Sequence, residues 1–460
     1  MKKCHTSLCA IVALVVCLPA PQVNAQADVA LCILQQVTKW GTVGDITAYS
    51  VGTTSVNVGT TNLNWIQNGT NHPVIGQTMY RIYDGRIEMI GQSWLKHSFC
   101  ALQIGSFCDS GCPGQGGCLS FLAPGCQDPY TAPRNGSWSL LGPKYQVNAN
   151  AGTFIWPHPL AGGNSTIRGR LQVNNADLGD ADSVYLVEGQ YVARDDSLAG
   201  NQDNNASYRL VSISAAPSYN IGFIGGHSTQ FQREAIRAWA AHGLGVGMPD
   251  PGVKIVKMTD SDGGLFWVGY KVSDNGDGTW HYEYAVQNVN SHQSGASFTV
   301  PVGSGVTVTN IDFHDVDYHS GDGTGGVDYD GTDWSVTVGA TSVTWETQIE
   351  SENSSANALR WGTMYNYRFD ADSGPEFATV TLGLYRGGPP GSVTTAVLVP
   401  EAALVVCPWD CEVVPNGSVG INDFLDLLAQ WGNAGSCDFD GGGVGINDFL
   451  DLLANWGPCP

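Results

Sequence analysis

The chain reads as a mainly β protein, with antiparallel β-sandwich domains followed by a small all-α helical pair. Three observations carry that reading. Short apolar runs broken by Gly, Asn and Asp recur from about residue 26 to residue 400, the pattern of strands joined by tight turns. No helical pattern alternates with them, which argues against a parallel α/β sheet. At the end of the chain one amphipathic segment is written twice, Val419–Gly432 and Val444–Gly457, the two copies differing only at Gln430 and Asn455.

Residues 1–25 have the layout of an export signal. Lys2 and Lys3 precede the apolar core Leu8–Leu18, and Val23-Asn24-Ala25 offers a small-residue cleavage site. That core is too short for a bilayer span of roughly 20 residues, and no later stretch is long and apolar enough. No Leu-x-Gly-Cys lipid box follows. The expected mature protein starts near Gln26, is secreted to the extracellular space or cell surface, and has no membrane span.

Cysteine usage points the same way. Of thirteen cysteines three lie in the signal, leaving six between Cys32 and Cys126 and four between Cys407 and Cys459. Even numbers in both groups predict two separate disulfide sets in an oxidising compartment. A zinc site at Cys108, Cys112 and Cys118 is the rival reading, but the spacing is irregular and "SGCPGQGGCLS" reads as a stapled loop.

Charge excludes some partners. With 20 Lys and Arg against 42 Asp and Glu, the net charge is -22, so nucleic acid and anionic membranes are not expected partners. The 14 Trp and 17 Tyr keep polysaccharide open as a ligand, although most such rings belong to cores.

Residues 26–249 are expected to form a β-rich domain with disulfides and one helix. "MYRIYDGRIEMIGQSWL" predicts a hairpin about Asp84-Gly85, and "SVYLVEGQYVA" a second about Glu188-Gly189. "REAIRAWAAHGLG" predicts a helix over Arg233–Gly245, with Ala235, Ala238, Trp239 and His242 on one face and Gly243 as C-cap. In "QSWLKHSF", Lys96 and His97 beside Trp94 read as structural residues.

Residues 250–400 carry eight strand-like runs in about 140 residues, from "LFWVGYKV" to "ATVTLGLY", and predict an antiparallel β-sandwich. "SDNGDG" joins the first two runs, and "RGGPPGS" precedes a last strand.

The body contains no Gly-x-Ser-x-Gly elbow, His-Glu-x-x-His, Walker loop or dinucleotide fingerprint. "DFHDVDYHSGDGTGGVDYDGTDW" gathers acids and histidines. If its first part continues as a strand, Asp315, Asp317 and His319 share a face and form an alternative metal-ligand set. The plainer reading is a polar strand end and an acidic loop. Paired carboxylates for glycoside hydrolysis are set in space rather than along the chain, so the alternative function is an extracellular carbohydrate-active protein, a glycoside hydrolase or a carbohydrate-binding protein.

In the tail, residues 401–460, each copy places a Gly-rich polar loop before a short helix. Asn422 and Asn447 are expected caps, with Asp423 and Asp448 in the first turn. Phe424, Leu427, Leu428 and Trp431 follow helical spacing, as do Phe449, Leu452, Leu453 and Trp456, and Gly432 and Gly457 stop the helices. A helix of about ten residues is unstable alone; two copies laid face to face bury each other's stripe.

The loops "DFDGGGVGIND" and "EVVPNGSVGIND" resemble those of the dockerin type I module, a duplicated relative of the EF-hand. That resemblance implies Ca²⁺ held by Asp438, Asp440 and Asp448 in the second copy, and by Glu412, Asn416 and Asp423 in the first. It also implies attachment to a protein or cell-envelope partner. The second loop is one residue short with Gly442 at an acidic position, and the first has Val414 at its third position, so weak calcium binding is expected. The late Ser/Thr pair of cellulosomal dockerins is replaced by Ile421-Asn422 and Ile446-Asn447, and residues 401–460 contain no Lys or Arg. The cellulosomal cohesin contact set is therefore not reproduced. The body, in "NHPVIGQTMYRIYDGRIEMIGQSWLKHSF" and "ALRWGTMYNYRFDAD", resembles a group of secreted bacterial proteins that carry similar tails and no assigned activity.

Overall fold

The computed structural model describes residues 26–97, 99–108, 111–112, 114, 116–387, 391–400, 407–412 and 417–459; the expected export signal 1–25, Asn416 and Val414 lie outside the described residues. The protein is mainly β, and its named strands pair antiparallel.

Eight strands form the path of the first sheet, in the order Val29–Val43, Ile46–Asn57, Leu171–Asn174, Arg86–Gln92, Val74–Tyr83, Val184–Val192, Ala206–Ile213 and Ile221–Phe223. The predicted hairpin between Val74–Tyr83 and Arg86–Gln92 turns on Asp84 and Gly85, whose φ values are 49° and 77°. Positive φ at both central residues matches the strand twist. The expected hairpin at Glu188-Gly189 is absent, because Val184–Val192 runs as one buried strand. Gly189 serves close approach instead of turning: a Cβ there would meet the Leu31 side chain at 2.5 Å.

Alternation along that strand divides two cores. Tyr185, Val187 and Tyr191 face a cluster with Leu31, Tyr49, Val51 and Met79 on one side. Val184 and Leu186 face Tyr80, Trp239 and Phe266 on the other. Glu188, on this second face, is buried against the Tyr80 hydroxyl at 3.2 Å and the Ala235 N–H at 2.5 Å. Burial pushes its carboxyl up to about 7.

The residues from 254 to 400 make a sandwich of two five-stranded sheets. One has the order Lys254–Thr259, Leu265–Asp274, Trp280–Asn288, Thr363–Ala371, Val308–His314; the other Ser335–Val338, Ser342–Glu346, Gly295–Pro301, Pro375–Leu384, Ser392–Pro400. All eight predicted runs are strands. Rings interlock between the sheets, with Phe298 stacked on Tyr367 at 4.6 Å and Trp345 edge-on to Tyr367 at 5.4 Å.

The helix before the sandwich is shorter than its pattern suggests, spanning Arg237–His242. The amides of Ala235 and Ile236 are taken by the Glu188 and Gln287 side chains, so the first turn is spent on tertiary contacts. Trp239 wedges between the Asp84-Gly85 hairpin and strand Leu265–Asp274, donating its indole N–H to the Gly85 carbonyl at 2.9 Å. One apolar cluster thus runs from the first sheet through this helix into the sandwich.

Disulfides join Cys32 to Cys108, Cys100 to Cys118 and Cys112 to Cys126 in the body, and Cys407 to Cys459 and Cys411 to Cys437 in the tail. The two sets are separate, and Cys108, Cys112 and Cys118 each belong to a different bridge rather than to a zinc site. No helix among the described residues is long and apolar enough to cross a membrane.

Candidate functional site

The tail places its two helices at Ile421–Gln430 and Ile446–Ala454. Gly420 and Gly445, not Asn422 and Asn447, occupy the cap positions. The capping hydrogen bond comes from the third helical residue: the Asp423 and Asp448 carboxylates each accept the preceding glycine N–H at 2.8 Å. A carboxylate in the first turn also complements the helix dipole.

The same two carboxylates bind their loops. Asp423 accepts the amides of Cys411 and Glu412 at 2.8 and 3.2 Å. Asp448 accepts those of Phe439 and Asp440 at 2.6 and 3.4 Å. This correspondence pairs Glu412 with Asp440, and therefore Asp410 with Asp438. Asp410 accepts the Gly417 amide at 2.6 Å, as Asp438 accepts that of Gly441 at 2.8 Å. The ligand set implied by the resemblance, Glu412, Asn416 and Asp423, omits Asp410, because the first loop is longer than the second. The signal was present in the matching Asp-x-Glu and Asp-x-Asp triplets.

Asp438, Asp440 and Asp448 each bring a carboxylate oxygen within 4.8 Å of the others, the one such triad of ligand-type side chains among the described residues. In the first loop, desolvation with the charges of Asp423, Asp410 and Asp426 holds the Glu412 carboxyl above its ordinary range, against a hydrogen bond with Asn422.

The helices are apolar on two faces. Leu427 and Leu452 are fully buried between them, and Phe424 meets Phe449 at 5.7 Å. Leu428, Trp431, Leu453 and Trp456, grouped with that stripe by sequence, instead point outward. With Ile421, Leu425, Ile446 and Leu450 they form two stripes of residues 45–61% exposed. The copies match closely: Trp431 is 45% exposed and Trp456 49%. The two helices thus carry matching, exposed apolar stripes.

Asp315, Asp317 and His319 do not form such a triad. The strand ends at His314, so the period-two face that would gather them is never built. Contacts at His314, Asp315 and the Asp317 backbone instead fasten the segment to the body, while the His319 backbone turns in on its own segment. His314 contacts the Met89 carbonyl at 3.1 Å, Asp315 accepts from the Asn357 amide, the Asp317 carbonyl accepts from Gln92 at 3.0 Å, and the His319 N–H donates to Asp322 at 2.6 Å. Burial raises the Asp315 carboxyl to about 6.

His97 was legible only as a structural histidine. The fold sets its Nδ1 3.0 Å from His72 Nε2 and stacks its ring on His158 at 4.2 Å. Nothing local in the chain could announce partners so distant. An open groove beside Asp330, Asp333, Glu346 and Glu352 has a volume of about 410 Å³. Its lining has no aromatic ring, and hydrogen bonds from Thr332 hold Asp330 below the ordinary carboxylate range, the wrong direction for a general acid.

No protein-family model and no curated protein matches the chain.

Proposed function

We propose that the protein is a secreted, non-catalytic β-rich protein fastened to a protein or cell-envelope partner through its dockerin-like C-terminal module. The observation that carries this reading is the pair of equivalent outward apolar stripes, Ile421, Leu425, Leu428 and Trp431 against Ile446, Leu450, Leu453 and Trp456. The apolar cluster of the tail contains only tail residues, and the two large cores of the body are built without these stripes. Residues 401–460 hold nine acids and no Lys or Arg, so the fitting partner offers an apolar surface rimmed by basic groups.

Calcium fits the second loop on its donor set. Asp438, Asp440 and Asp448 supply three hard oxygens, and loop carbonyls or water would complete the six to eight that Ca²⁺ takes. Bound there, the ion would neutralise converging carboxylates and join the loop to its helix. In the first loop Asp410, Glu412 and Asp423 stand at the equivalent positions but do not converge into such a triad.

Envelope fractions from the producing cells, incubated with the full chain, test the attachment. The parent protein is expected to sediment with them and the double variant Trp431→Lys, Trp456→Lys to stay in solution. Equal sedimentation of both would refute the assignment. Calcium at millimolar concentration should raise the melting temperature of the tail by several degrees over chelator, and Asp440→Asn should reduce that shift.

A further inference from the structure

We propose that the body contains an anion site, which receives the carboxylate or sulfate group of an acidic ligand between Lys144, Arg360 and Arg386. The site lies where the first sheet's loops meet the sandwich. Two slots of about 10 Å³ each share Lys144, Arg360 and Trp361, and a volume of about that size holds a single water. Only one oxygen of a ligand's acidic group enters a slot; the rest of that group and of the ligand stays at the mouth.

The second slot is lined by Lys144, Arg360, Arg386 and His292, with Tyr145 and Trp361, and no carboxylate lines it. This is unexpected in a chain of net charge -22. Arg360 is 6% exposed and forms no ion pair among the described residues. One guanidinium nitrogen donates to the Ala356 carbonyl at 2.7 Å, and the group stacks on Tyr329 at 3.6 Å. Its Nε has no hydrogen-bond partner, nor has Nδ1 of His292. Buried cations are ordinarily paired, and buried donors ordinarily satisfied.

Lys144 is held in place by the Gln92 side chain at 3.0 Å and the Gly362 carbonyl at 3.2 Å. Asp322, which lines only the first slot, is engaged by the Trp94 indole and the His319 amide. Glu350 meets Arg386 at 2.8 Å and is 44% exposed at its side chain. Lys144 and Arg360 therefore have no ion pair among the described residues, and Arg386 at the rim is paired only with the half-exposed Glu350. An incoming oxyanion supplies a counter-charge to Lys144 and Arg360 and accepts from the unpartnered Arg360 Nε–H, and a buried charged donor makes such a hydrogen bond strong. Neutral ligands gain neither term.

Isothermal titration on the full-length chain, at constant ionic strength, tests this with sodium glucuronate, sodium sulfate and glucose. Glucuronate or sulfate should bind and glucose should not. Preference for glucuronate assigns the site to an acidic sugar, and preference for sulfate to a sulfate group. Either affinity should fall at least tenfold in Lys144→Gln. Arg386→Gln, at the rim, gives the same readout without disturbing the buried core, and near-ultraviolet circular dichroism checks that both variants are folded. No heat of binding with either anion, or unchanged affinity in both folded variants, overturns the site. The tail plays no part in this measurement, so its outcome is independent of the attachment reading.

Discussion

Body and tail use aromatic and aliphatic side chains in opposite ways. In the body Trp239, Trp345 and a series of tyrosines are fully buried, and their packing joins the first sheet, a helix and both sandwich sheets into one core. In the tail the helix-end residues Trp431 and Trp456 are half exposed, and each helix buries only its narrower stripe. A large chain can enclose its apolar surface; two helices of ten and nine residues cannot. The tail makes up the deficit covalently. Cys407–Cys459 closes 52 residues and Cys411–Cys437 closes 26, and loops of these lengths are each worth roughly 3.5–4 kcal/mol in the chain-entropy description.

The largest effect expected from this contrast is therefore on the tail bridges. Replacing all four tail cysteines with serine should abolish the tail's cooperative melting near room temperature and leave the body's transition in place, as read by scanning calorimetry. A tail that melts unchanged would mean its helices hold together by packing alone, and the contrast would collapse.

The two stripes are separated next. Leu427→Ala with Leu452→Ala removes buried side chains and should cost about 2–5 kcal/mol per site. Leu428→Ala with Leu453→Ala should cost under about 1 kcal/mol, because surface changes are small, yet weaken partner binding. Denaturant melts and envelope sedimentation together distinguish the outcomes; equal destabilisation by both pairs would show that the outer stripe is covered in the folded chain.

The smallest effect concerns pH. His72 is buried beside His97, and desolvation, aided by the Lys96 and His158 charges and opposed by the Ile66 carbonyl, lowers it to about 4. As pH falls below 6.5 the unfolded chain takes up the proton first, so the stability this group confers is present above 6.5 and lost as pH drops through about 4. The body of the parent should lose stability relative to His72→Gln over that window. Residues 401–460 contain no histidine, so the tail transition should show no such difference. A parent and variant with parallel pH profiles would remove His72 from the account.

Much of this was legible in the chain. The Asp84-Gly85 turn, the eight sandwich strands and the even cysteine sets follow from rules that act over a few residues. The failures have a common form. Glu188-Gly189 looks like a turn until Leu31 is known to press against the glycine. Asn422 looks like a cap until Asp423 is seen to take the Gly420 amide. Asp315, Asp317 and His319 share a face only if the strand continues, and contacts from Asn357 and Gln92 accompany its end at His314. Asp410 is tied to its loop by the Gly417 amide, a contact that its place in the sequence does not announce.

By itself the sequence determined the local periods: alternation for strands, helical spacing in the duplicated tail, glycine where φ must be positive, and cysteines in numbers that pair. Those depend on backbone geometry within one element. Which stripe of each tail helix turns outward, and which distant cations meet beside Trp361, were decided by tertiary structure alone. Burial and charge are properties of what lies across a contact, and the partners across these contacts are far away along the chain.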